Sequence, residues 1–121
     1  MTSIEDLKEY GIELPNNYDN GIVICDIYTD WCGPCKFLSP TLEKLEREGL
    51  FKLLQVDLEQ NRPLGEKFGV TAIPTLLFFK NGKLVDGVVE VQGREVMING
   101  KMVGNYGEVI IKETISKLSQ N

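Results

Sequence analysis

Cys32 and Cys35 are separated by two residues within Trp31-Cys32-Gly33-Pro34-Cys35. An apolar run precedes this segment and a long stretch of helical periodicity follows it, so the two thiols open a helix. There the first sulfur lies beside backbone N–H groups without intrahelical partners and at the positive end of the helix dipole, and both favour thiolate over thiol. The thiolate is the nucleophile of thiol–disulfide exchange. A second thiol three residues on, close to the same face, is placed to attack any mixed disulfide that the first one forms. Gly33 and Pro34 set the turn and the helix start, since a proline in the first turn forfeits no hydrogen bond.

The competing reading of the pair, buried structural cysteines or half of a metal site, lacks co-ligands. The chain has three cysteines and no histidine, so within one chain it closes neither an all-thiolate zinc site nor a histidine-containing one. No metal is expected. Missing histidine also removes His-based acid–base catalysis and Cys–His nucleophile pairs. The third cysteine, Cys25, lies within an inner strand and reads as a small buried hydrophobe.

The elements that position these residues follow from periodicity. Ile22-Val23-Ile24-Cys25-Asp26-Ile27-Tyr28 is apolar at both parities, as a central strand covered on both faces should be. Asp26 interrupts it, sharing parity with Ile22, Ile24 and Tyr28. Burial there should raise its pKa, the alternative being an acid near a strand end that reaches solvent. From Gly33 to Glu48, Leu38, Leu42 and Leu45 recur at helical spacing, with Gly49 as the stop and Pro40 as an expected kink.

Upstream, Ser3-Ile4-Glu5-Asp6 ahead of Leu7, with Gly11 as a stop, predicts a short helix over about residues 4–10, and Pro15 to Gly21 reads as loop. Downstream come a strand from Phe51 to Val56, a short helix capped by Asn61 and ending near Gly69, and a strand from Thr75 to Lys80. Lys83–Val85, Val88–Val91, Glu95–Ile98 and Lys101–Val103 follow, separated by Asp86-Gly87, Gly93 and Asn99-Gly100, and read as a meander of hairpins. A helix from Gly107 to Ser119 closes the chain, with Ile111, Ile115 and Leu118 as its buried stripe. The near-copies beginning at Asn81 and Asn99 reflect the preference of type I′ turns for Asn-Gly rather than a duplication. No linker divides residues 1–121, so one domain is expected.

At 121 residues, 42% hydrophobic and 26% charged, the chain has material for a single core. Its net charge of −5 and lack of a basic block argue against nucleic-acid or anionic-membrane partners. Apolar runs fall far short of the roughly 20 residues that span a bilayer. The acidic start Met1-Thr2-Ser3-Ile4-Glu5-Asp6 has no leader pattern, and an odd cysteine count with one working pair fits a reducing compartment, so the cytosol is the expected location.

With Trp31-Cys32-Gly33-Pro34-Cys35-Lys36 after Asp26, and Ile73-Pro74-Thr75 before an apolar strand and Lys80-Asn81-Gly82, the chain resembles the thioredoxin family. The similarity runs over residues 22–82 and resumes at Met102-Val103-Gly104 through the last helix, leaving about fourteen extra residues in the hairpin region. The implied fold is α/β: a central mixed β-sheet flanked by helices, with an extra β-hairpin insertion at about residues 86–99. The implied activity is reduction of protein disulfides by a cytosolic thiol–disulfide oxidoreductase. Cys32 would be the partly exposed nucleophile, with a pKa near about 7, the value typical of thioredoxins, and Cys35 the deeper resolving thiol. Asp26 would exchange a proton with Cys35. The Gly33-Pro34 pair is associated with reducing members.

Ile73-Pro74 matches the family's cis-proline loop, which offers backbone groups to an extended substrate. Trp31, Val70, Ile73, Pro74 and Gly104 would form an apolar substrate rim, with Gly87 replacing Gly104 if Lys83–Val85 is the true edge strand. Many thioredoxins carry a buried lysine near the acid, where this chain has Gln55, and Tyr28 stands where tryptophan is common. The resemblance implies no cofactor beyond the Cys32–Cys35 disulfide, and as partners disulfide-containing targets and a thioredoxin reductase, with the chain a monomer. The alternatives are an oxidant or isomerase on the same fold, and a non-catalytic interaction module. The added hairpins would be edge decoration or a partner-specific platform.

Overall fold

The computed structural model describes residues 2–120. Its organising element is β1 (Ile22–Tyr28), buried along its whole length but for Tyr28, which is half-buried. Alternation divides its side chains: Ile22 and Ile24 join one core, and Val23, Cys25 and Ile27 join the other. β2 (Lys52–Asp57) runs parallel to β1, with Tyr28 opposite Asp57, and β3 (Thr75–Lys80) runs antiparallel on the other side, with Ile27 opposite Thr75. The parallel pair needs a crossover, and α1 (Gly33–Arg47) supplies it, running on through Pro40.

Leu38, Leu42 and Leu45 of α1 are buried against Ile22, Ile24, Leu76 and Phe78. α3 (Gly107–Ser119) covers the same face with Ile111 and Ile115. Leu118 is only half-buried. Thr114 is fully buried instead, its hydroxyl satisfied by donating to the Ile110 carbonyl at 2.8 Å. On the opposite face, α2 (Arg62–Lys67) and a short helix at Ile4–Tyr10 bring Leu64, Ile4 and Leu7 onto Val23, Cys25, Ile27, Leu77 and Phe79. That N-terminal helix has the expected extent but is of the tighter 3-10 type. The Ser3 hydroxyl caps it by accepting from the Glu5 N–H at 3.1 Å, and Gly11 ends it in the left-handed region.

The remaining strands are β4 (Lys83–Leu84), β5 (Val88–Val91), β6 (Arg94–Ile98) and β7 (Lys101–Val103), and the sheet order is β2-β1-β3-β7-β6-β5 with β4 also on β3. Thus β4 and β7 share one side of β3. β4 lies against Phe79 and Lys80, and β7 lies against Thr75 to Leu77. They meet at Phe78, whose carbonyl accepts from Val85 N–H at 3.0 Å and whose N–H donates to the Gly100 carbonyl at 2.8 Å. A single strand beside β3 is therefore interrupted by an inserted β-hairpin, β5–β6, which extends the sheet beyond β7.

Gln92-Gly93 and Asn99-Gly100 form the insertion's turns with positive φ at both positions, as does Asn81-Gly82 between β3 and β4. Asp86-Gly87 is not a hairpin turn, contrary to the sequence expectation, because β4 and β5 never pair. Gly87 instead closes the neck of the insertion. Its carbonyl accepts from Asn99 N–H at 2.7 Å, and its N–H donates to Asn99 Oδ1 at 2.9 Å. Gly100 is confined on two counts: φ is +83°, and a Cβ would lie 2.6 Å from Leu84 Cδ1. Val91, Val96 and Met97 of the insertion extend the α1/α3 core.

Strand directions assemble the site. The C-terminal ends of β1, β2 and β7 and the N-terminal end of β3 all fall at one end of the sheet. The Cys32 segment, the Pro74 loop and Gly104 are therefore gathered there from distant parts of the chain.

Candidate active site

Cys32 is the N-cap of α1, Gly33 and Pro34 are its first residues, and the Cys32 and Cys35 sulfurs are bonded, with Cα atoms 5.3 Å apart. The Cys35 N–H donates to Cys32 Sγ at 3.1 Å, so sulfur takes the role a serine oxygen plays at an ordinary helix start. That donor and the aligned peptide dipoles behind it stabilise negative charge on this sulfur once the disulfide is reduced. The sequence reading places Cys32 partly exposed and Cys35 deeper, whereas both are 4% exposed in the disulfide form. The capping geometry turns Cys32 Sγ back over the helix end and away from solvent.

Asp26 is 1% exposed, on the β1 face that α1 covers. Burial pushes its carboxyl up to about 6, opposed by a hydrogen bond from Gln55. Gln55 lies directly across from it on β2 and donates through Nε2 to Asp26 Oδ2 at 3.3 Å and to Ser39 Oγ at 2.9 Å. Asp26 and Cys35 line one cleft of about 250 Å³, with Tyr28, Lys36, Ser39 and Gln55. Burial, followed by the nearby acids, also raises the Tyr28 phenol. Cys25 is fully buried and on the other face, and burial, helped by the Asp26 charge, pushes its thiol up to about 12. It is chemically inert while the protein is folded.

Trp31 is 68% exposed. It shares a second cleft, of about 210 Å³, with Val70 and Ile73. The Ile73–Pro74 peptide bond is cis, and the buried Pro74 accepts through its carbonyl from the Gly104 N–H at 2.8 Å. It is thus Gly104, not Gly87, that flanks the proline. Pro74 is covered rather than displayed, so the apolar surface of the rim comes from Trp31, Val70 and Ile73. Lys101 Nζ donates to the Phe68 carbonyl at 3.1 Å, tying the turn before Val70 to the strand before Gly104.

The Thioredoxin family model matches residues 5–102. The chain belongs to the thioredoxin family. It is 40% identical over 99 residues to a thioredoxin of Staphylococcus saprophyticus, covering 80% of this chain and 86% of that protein. Against the thioredoxin of Chlamydia caviae it is 43% identical over 79 residues, 64% of this chain and 78% of that one. Among solved structures, a mutant thioredoxin from Halobacterium salinarum superposes with a TM-score of 0.68 at 30% identity, over 85% of this chain and 79% of that one. The reduced thioredoxin pre-protein of Schistosoma mansoni gives 0.66 at 25% identity, over 94% and 88%.

As a thioredoxin, the chain is a thiol–disulfide oxidoreductase, a protein-disulfide reductase with Cys32 and Cys35 as its redox-active pair. These relatives do not favour the oxidant, isomerase or non-catalytic alternatives. Sequence reasoning missed Ser39, whose helical position is half-buried over the cleft, and Thr75, whose hydroxyl donates to the Ala72 carbonyl at 2.6 Å within the proline loop. It also missed Thr29, buried with no partner for Oγ1. Position in the Ile73-Pro74-Thr75 motif was a signal for Thr75. None existed for the other two, whose roles depend on which strands are neighbours.

Proposed function

We propose that the chain works in the cytosol as a single-domain, monomeric carrier of reducing equivalents, passing electrons from a thioredoxin reductase to disulfides in target proteins. The observation that carries this is the Cys35 N–H held on Cys32 Sγ at the start of α1. The Cys32 thiolate attacks one sulfur of a target disulfide, and the other target sulfur leaves as a thiolate and takes up a proton. Cys35 then gives its proton to the Asp26 carboxylate and attacks Cys32 Sγ. The second target thiol is released, and the pair is left as a disulfide after transfer of two electrons. Tethering Cys35 one helical turn away makes this second attack intramolecular.

Trp31, Val70 and Ile73 supply apolar surface for the target, with Pro74 and Gly104 forming the backbone floor beside it. The cytosolic assignment rests on one working pair among three cysteines. No helix among the described residues is long and apolar enough to cross a membrane. The test is turnover of a generic protein disulfide by the purified chain with a reductase and its reductant. Turnover is expected to vanish in Cys32→Ser, and persistence there contradicts the assignment. A dithiol potential near about −270 mV, typical of thioredoxins, fits a reductant, whereas one near about −120 mV would indicate an oxidant.

A further inference from the structure

We propose that Gln55 is a positioning residue for the resolving step: its amide, anchored on Ser39, holds Oδ2 of Asp26 and leaves Oδ1 to serve Cys35. The inference rests on the reading of Asp26 as acceptor of the Cys35 proton. Three elements meet in it. Strand register sets Gln55 opposite Asp26, and α1 brings Ser39 over both, one helical turn beyond Cys35. A primary amide carries two N–H donors, so the bonds of 3.3 Å to Asp26 and 2.9 Å to Ser39 are made together. The reverse amide orientation would set Oε1 against a carboxylate oxygen. Asp26 Oδ1 is buried without a protein partner, in the same cleft as Cys35.

The surroundings explain why a neutral donor matters. β1 itself contributes Tyr28 and, on its other face, Cys25, and the following loop contributes Asp30. From α1 come Cys35 and Lys36, and from β2 comes Asp57, which acts on Tyr28. β3 places only apolar Leu76 opposite Asp26. The hydrogen bond to the acid thus comes from an uncharged group. Gln55 orients the carboxyl while leaving it free to change charge near neutral pH, whereas a cation at the same position would hold it ionised.

Gln55 is exposed, so substitution there does not threaten the core. The experiment follows resolution as release of thionitrobenzoate from its mixed disulfide with Cys32, from about pH 5 to about pH 9. Gln55→Lys is expected to move the midpoint of the acid limb down by about one unit or more, and Gln55→Leu to move it up. Ser39→Ala should move it in the same direction as Gln55→Leu, by less. Asp26→Asn is the control and should remove the limb that follows the carboxyl, leaving only the rise at about pH 8 and above as the Cys35 thiol itself ionises. Profiles of the Gln55 variants that overlay the native one, or that fall by one factor at every pH, overturn the positioning role while Asp26 retains its own. A limb that survives Asp26→Asn with its midpoint unmoved overturns both.

Discussion

Replacing Asp26 by asparagine should stabilise the folded protein, and the gain should appear only as pH rises. Burial lifts the carboxyl from 3.8 to about 6, so between those values the folded protein holds a proton that the unfolded chain has released. Unfolding free energy therefore falls as pH rises through this window and stays lower above it. That span, at roughly 1.4 kcal/mol per pH unit, puts the cost of the ionised form at about 3 kcal/mol. Asparagine keeps the shape and an acceptor for Gln55 but never ionises. The assay is denaturant unfolding of both oxidised proteins at a series of pH values; oxidation removes Cys32 and Cys35 from the titration. Asp26→Asn should match the native protein near pH 3.8 and exceed it by about 3 kcal/mol above pH 7. A stability difference that is constant with pH, or that shrinks as pH rises, would refute the burial argument.

Cys35→Ser should turn the reductase into a trap: the Cys32 adduct with a disulfide-containing target should accumulate and resist release, as read by non-reducing electrophoresis and intact mass. Gly100→Ala should destabilise by about 2 kcal/mol or more, since a left-handed backbone and a Cβ clash with Leu84 act together, and chemical denaturation measures it. Deleting residues 86–100 and joining Val85 to Lys101 should let one unbroken strand run along β3 and retain reduction of a generic protein disulfide. Its Tm should fall, because Val91, Val96 and Met97 no longer contribute to the core.

Much of this arrangement is written locally. β1 has the bounds its apolar run implies, because burial on both faces leaves no polar parity to confuse the assignment. The leucine stripe of α1 and the cysteines at its start are also local, and parity alone put Asp26 on a buried face. What could not be read depends on partner choice. Lys83-Leu84-Val85 and Lys101-Met102-Val103 are nearly the same words, and only the sheet shows that both lie on β3 and that Phe78 divides them. Likewise, the pairing of Gln55 with Asp26 needs the parallel register that the α1 crossover fixes. The burial of Cys32 depends on side-chain direction at a helix cap, which spacing does not encode.

Residue-resolved alkylation of the reduced protein as a function of pH tests the central claim most directly, namely that the start of α1 acidifies one sulfur. Cys32 should react with a midpoint well below the ordinary thiol value of about 8.5, with Cys25 silent while the fold persists. A Cys32 midpoint at or above about 8.5 would contradict the account.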